Sequence, residues 1–197
     1  MKRTTNLCGA VLAAAAMLGV GFSAAPAQPS TPAFDLTELR SADALPAAAA
    51  SHVAVGDELA GKGKYAQARR EYWAAVDEIR AENGFPAVPL DRIAKSFYFE
   101  RRYANAISYL DRLAKEAAAV GDLTTHAIAS ADAIWVLGVE YGVKGTAVMP
   151  GARMEMKERL ARLRRLLASP FLPIEVRDYV VEKRCGGSCE LANLTGL

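Results

Sequence analysis

The 197-residue chain carries 24 lysines and arginines against 22 aspartates and glutamates, with two histidines and three cysteines. A balance this close to neutral excludes the sustained basicity of a general nucleic-acid binder. His52 and His126 stand far apart and show no metal-ligand spacing, and such a length suits one domain with a modest core.

Lys2 and Arg3 open the chain, an apolar run rich in Ala and Leu follows from Leu7 to Val20, and Ala25-Pro26-Ala27 supplies small residues before a cleavage point. This order predicts a secretory signal peptide over 1–27, with Gln28 as the mature N-terminus. The run is shorter than the roughly 20 apolar residues that span a bilayer. Cys8 lies at the start of that run, whereas a lipid-attachment cysteine closes one. Removing the signal takes away Lys2, Arg3 and Cys8, which leaves 22 basic residues, 22 acidic residues and two cysteines. The chain is therefore expected to be exported, periplasmic or secreted.

Residues 28–50 contain Pro29, Pro32 and Pro46 and no sustained apolar face. They read as a flexible Pro/Ala-rich leader with one short helical turn near Leu36–Leu39. From Ser51 onward, alanine, leucine and charged residues dominate. The segments GFPAVP (84–89), VGD (120–122), GVKGTAVMPG (142–151) and SPFLP (169–173) interrupt them. Between the breaks, the periodicity predicts helices over 51–61, 65–82, 90–100, 103–119, 123–141, 152–168 and 174–184. The expected fold is all-α, a domain of antiparallel helical hairpins over 51–184 followed by a short tail over 185–197.

Two hairpins match each other at a constant spacing of 38 residues. Gly56, Leu59, Gly63, Tyr65, Ala68, Tyr72 and Ala75 pair with Ala94, Phe97, Arg101, Tyr103, Ala106, Leu110 and Leu113. Small residues stand where helices approach closely, and large apolar ones where they interlock. The pattern resembles the tetratricopeptide repeat, a helix–turn–helix unit of about 34 residues. The resemblance covers 49–120, and the connection GFPAVP accommodates the extra length. It departs at the early tryptophan position, held here by His52 and Leu90, and at the closing proline, replaced by Arg80 and Ala118. Residues 123–168 form a third hairpin of suitable size and weaker match.

The resemblance implies a short stacked solenoid that binds a protein or peptide in a concave groove lined by the first helices. Carried over, the groove positions are Val53 and Asp57 in the first hairpin and Asp91, Lys95, Tyr98 and Phe99 in the second. Asp91, Lys95 and Tyr98 lie at i, i+4 and i+7 and so share a helix face. An aromatic beside a charge pair suits peptide binding. The bland alternative packs Phe99 in the core and leaves Asp91–Lys95 a solvated pair. Val53 and Asp57 occupy two positions where the family's chaperone-binding class has its carboxylate clamp, so that clamp is not expected.

Helix 152–168 carries an apolar stripe of Met156, Leu160, Leu163 and Leu167 among Arg153, Lys157, Arg159, Arg162, Arg164 and Arg165. It is expected to bury the stripe and solvate the cations, with membrane contact as the lesser alternative. Cys185 follows a predicted helix and is joined to Cys189 through Gly186-Gly187-Ser188. A helix C-terminus disfavours a thiolate, and the compartment is oxidising. A disulfide is the leading reading, with an exchangeable redox pair and a metal clamp as alternatives. No phosphate loop, nucleophile elbow or cofactor motif appears. The expected function is an exported binding module, an adaptor or assembly factor without chemistry of its own. The alternatives are a thiol–disulfide protein using Cys185 and Cys189, and a helical enzyme or ligand carrier.

Overall fold

The computed structural model describes residues 45–145 and 149–184, and all of that regular structure is helical. In chain order the helices are α1 (Ala47–Gly61), α2 (Tyr65–Ala81), α3 (Ala87–Phe99), α4 (Tyr103–Ala119), α5 (Leu123–Lys144), α6 (Pro150–Leu167) and α7 (Ile174–Tyr179). A π-helical turn, Val180–Arg184, continues α7. The signal segment, the leader up to residue 44 and the Cys185/Cys189 tail lie outside the described residues.

Three helices start earlier than their sequence predicts, each at a proline. α1 begins directly after Pro46 and takes in the alanines 47–50 that were assigned to the leader. Alanine has the best helix propensity, and Ala49 is fully buried. α3 begins at Ala87 and holds Pro89 in its first turn. The missing N–H costs nothing there, because the first-turn donors have no intrahelical partner. α6 begins at Pro150 itself. The predicted helix over 174–184 is divided, since the last turn widens from α to π at Val180.

The first two hairpins share their backbone plan at the 38-residue spacing. α2 and α4 are both 17 residues long, starting at Tyr65 and Tyr103. α1 to α4 all end in a left-handed residue: Gly63, Asn83, Arg101 and Gly121. In each case the next N–H returns to a carbonyl five residues back. Lys64 reaches Leu59 at 2.9 Å, Arg102 reaches Phe97 at 2.9 Å, Gly84 reaches Ile79 at 2.8 Å and Asp122 reaches Ala117 at 2.9 Å. These are Schellman closures, which satisfy the last carbonyls and reverse the chain. Asp122 then opens α5, its carboxylate accepting from the Thr125 N–H (3.0 Å) and the Thr125 hydroxyl (2.7 Å).

Each helix from α1 to α5 packs on the next, and α1 touches α3 as α3 touches α5. The arrangement is that of stacked helical hairpins, with α1, α3 and α5 following one another in one row. α7 and the π turn pack back on α5. A small cluster of Ala49, Val53, Ala75, Ile79 and Val88 fills the start of the stack. The main core runs continuously from Ala68 in α2 to Val180. No helix among the described residues is long and apolar enough to cross a membrane.

Small residues permit the close approaches. A Cβ placed on Gly56 would lie 2.4 Å from Cε1 of Tyr72. That ring cannot swing away freely, because Tyr72 is buried and its hydroxyl donates to Asp57. Ala68, Ala94 and Ala106 are likewise buried. Ala68→Leu and Ala106→Leu should each lower stability by about 1–3 kcal/mol through overpacking. Denaturant melts measure this, and two neutral, folded variants would show that the hairpins have room to spare at these positions.

Candidate functional site

The row α1–α3–α5 carries the candidate groove residues in a charged group and an aromatic group. The first is charged. Tyr72 donates its hydroxyl to Asp57 Oδ1 at 2.8 Å, and Arg92 Nε approaches the same oxygen at 3.1 Å. Arg92 thereby ties α3 to α1. On α3 itself, Asp91 Oδ2 lies 2.7 Å from Lys95 Nζ and 3.6 Å from Arg92 Nη1. The Asp91–Lys95 approach is an ionic contact without hydrogen-bond alignment. Burial, then the hydrogen bond to Asp57, pushes the Tyr72 hydroxyl well above the ordinary tyrosine range, so it stays a donor.

The second group is aromatic. Tyr65, the first residue of α2, stacks on Phe99, the last residue of α3, with centroids 5.8 Å apart and planes at 11°. Phe99 meets Tyr98 edge-on at 5.5 Å. Tyr98 then touches Tyr103 of α4 at 5.7 Å and Trp135 of α5 at 5.2 Å. The rings form one connected strip across four helices. Phe99 is 47 % exposed, whereas Tyr98 is half-buried. Burial, followed by the neighbouring Tyr103, raises the Tyr98 pKa.

The six sequence-derived groove residues therefore separate. Asp57, Tyr98 and Phe99 reach the surface. Val53 does not: at 8 % exposure it belongs to the small core cluster beside Ala49 and Ile79. Asp91 is 1 % exposed and the Lys95 side chain only 12 %, so their pair is interior and not solvated. Neighbouring helices cover that face of α3, which helical spacing alone does not reveal. The packing of Phe99 into the core, the other half of the bland alternative, is also overturned, because α3 ends there and the ring stays half exposed beside Tyr65 and Tyr98.

Sequence reasoning passed over Arg92, Tyr65 and Trp135. Tyr65 and Tyr103 occupy matching places at the starts of α2 and α4, which was the available sign of a ring at each hairpin turn. Arg92 has no counterpart signal, since Ala54 stands 38 residues before it.

The basic helix α6 buries its stripe of Met156, Leu160, Leu163 and Leu167, as its periodicity predicts. One of its cations is not solvated. Arg159 forms a two-pronged pair with Asp111 of α4 at 2.6 and 2.8 Å and reaches Glu155 at 3.2 Å. The Asp111 hydrogen bonds hold this guanidinium charged against the cost of burial. Tyr141 of α5 donates to Glu155, and that bond holds the carboxyl below its ordinary range. Burial and the same bond push the Tyr141 hydroxyl up to about 12. Arg159 thus clamps α6 to α4.

His52 contacts Glu71 at 2.8 Å, and burial lowers the His126 pKa. Among the described residues no group of three or more His, Cys, Asp or Glu side chains is placed to hold a metal ion. Comparisons with protein-family models, curated proteins and solved structures each return no match to this chain.

Proposed function

We propose that the chain is an exported, tetratricopeptide-like binding module. Its partner is a protein segment that lays apolar or aromatic side chains on the strip from Tyr65 to Trp135. The observation that carries the reading is the exposure of Phe99 at 47 % inside a connected row of rings. Aromatic side chains offer large contact area at low entropic cost, and they dominate interface energetics. The charged contacts of α1 and α3 support the same reading from the other direction. They tie α1 to α3 and pin the α3 face, so the rings are presented on a rigid base. Preorganisation of this kind reduces what a partner must spend on ordering. The matched Schellman turns, at Gly63 and Arg101 and again at Asn83 and Gly121, support the repeat resemblance.

Affinity capture of the mature protein from its native envelope, quantified by mass spectrometry, tests the reading. Phe99→Ala should deplete the captured partner by about tenfold or more, the scale of an interface anchor. Arg165→Glu on α6 should leave it in place. A partner that survives Phe99→Ala but is lost with Arg165→Glu would move the binding surface to the basic helix. Export carries its own check, for the mature protein should begin at Gln28 by N-terminal sequencing, and a product still starting at Met1 overturns that part.

A further inference from the structure

A second surface lies between α4, α5 and α6, in a cleft of about 420 Å³. Its charged lining is Asp111, Lys115, His126, Arg159, Arg162 and Arg165. The one carboxylate is already occupied, because Arg159 takes both oxygens of Asp111. Arg159 and Asp111 therefore neutralise each other and also fix α6 against α4. That leaves Lys115, Arg162 and Arg165 in the lining, Arg162 also acting at longer range on Glu155. Among the described residues none of these three is in an ion pair.

These three are gathered on one cleft, whereas many of the other cations are paired. Lys62, Arg69, Arg80, Arg92, Lys95 and Arg112 all lie against carboxylates. Like charges gathered on one concave surface raise its potential and attract counter-charge. Ser130 supplies a hydroxyl to the cleft, and Ile134 and Leu163 an apolar wall. Burial lowers the His126 pKa, so its imidazole contributes hydrogen bonding more than charge.

We propose that this cleft binds a phosphate group carried on a small organic moiety. Three cations outside any ion pair call for more than a single negative charge, and two arginine forks match phosphate oxygens in pairs. The apolar wall accommodates the carbon portion. Two sources offer this chemistry, a soluble phosphate ester and the headgroup of an anionic phospholipid. The proposal shares no residue with the aromatic strip and does not rest on its function.

Titration of the mature protein with glycerol 3-phosphate, followed by calorimetry or by NMR of the His126 ring, tests the soluble source. Sedimentation with vesicles of phosphatidylglycerol in phosphatidylcholine, against phosphatidylcholine alone, tests the lipid source. The expected result is binding in at least one arm that weakens about tenfold or more in Arg162→Gln/Arg165→Gln, because charge-assisted hydrogen bonds are lost. Raised salt should weaken it as well. Glycerol 3-phosphate alone binding identifies a soluble ligand. Vesicles alone binding identifies a headgroup. Both variant positions are exposed, and thermal melts confirm that the double variant stays folded. No binding in either arm, or binding indifferent to the double variant, overturns the proposal.

Discussion

Asp91→Ala is expected to destabilise the fold by about 3–5 kcal/mol, the cost of removing one partner from a buried charge pair. Asp91 is 1 % exposed and stands between Lys95 at 2.7 Å and Arg92 at 3.6 Å. Deleting its carboxylate leaves two mostly covered cations on one turn of α3 with less compensating charge. Arg92 retains Asp57, so the cluster keeps part of its negative charge. The double variant Asp91→Leu/Lys95→Met removes both charges and keeps apolar volume. It should recover much of the loss, because the desolvation penalty disappears with the pair. Urea melts of Asp91→Leu, Lys95→Met and the double variant close the cycle. A cost below about 1 kcal/mol for Asp91→Ala would place the pair with solvated surface bridges and remove the rigid base from the proposed site.

Leu113→Ala should cost about 2–5 kcal/mol. Leu113 is 0 % exposed in α4 and belongs to the main core, where α4 lies against both α3 and α5. The matching position in the first hairpin is Ala75, also fully buried but in the small cluster with Ile79 and Val88. One site of the 38-residue pattern thus holds a methyl at the start of the stack and an isobutyl group in its middle. The difference reflects what lies across from each helix. Leu113→Ala copies the residue of the first hairpin without copying its neighbours, so a cavity remains. The expected shift appears as a lower urea midpoint at unchanged slope. A loss under 1 kcal/mol would mean that α4 and α5 close over the gap.

The binding variants probe a different property from these two. Phe99→Ala removes an exposed ring and should change stability little. Loss of partner in that variant, with melting unchanged, therefore reports on the surface itself and not on the fold beneath it.

What the amino-acid sequence determined by itself was local. The helices, their order and the 38-residue correspondence of two hairpins followed from apolar periodicity and from small residues at helix contacts. Both are written within a few turns of chain. So were the hairpin turns at Gly63 and Gly121, because a left-handed residue favours glycine. Arg101 and Asn83 adopt the same backbone, and the 38-residue spacing marks Arg101 by alignment with Gly63, whereas composition does not. The buried stripe of α6 was legible for the same reason, since Met156, Leu160, Leu163 and Leu167 recur at helical intervals.

The tertiary structure decided everything that depends on which helix lies opposite. Asp91, Lys95 and Tyr98 share a face of α3, but only packing against the neighbouring helices determined that the ion pair is enclosed while the tyrosine ring stays half-covered. Val53 went inward because α1 meets α2 along that side, and Phe99 stayed outward because α3 ends there. Arg159 looked like one more solvated cation until Asp111, 48 residues away, was brought within 2.6 Å. A carboxylate at that range changes an arginine from a surface charge into a clamp. It also leaves Lys115, Arg162 and Arg165 in the cleft lining outside any ion pair among the described residues, and no spacing along the chain encodes that. Helical periodicity reports which side chains share a face, while burial and charge compensation are set by distances between segments remote in sequence.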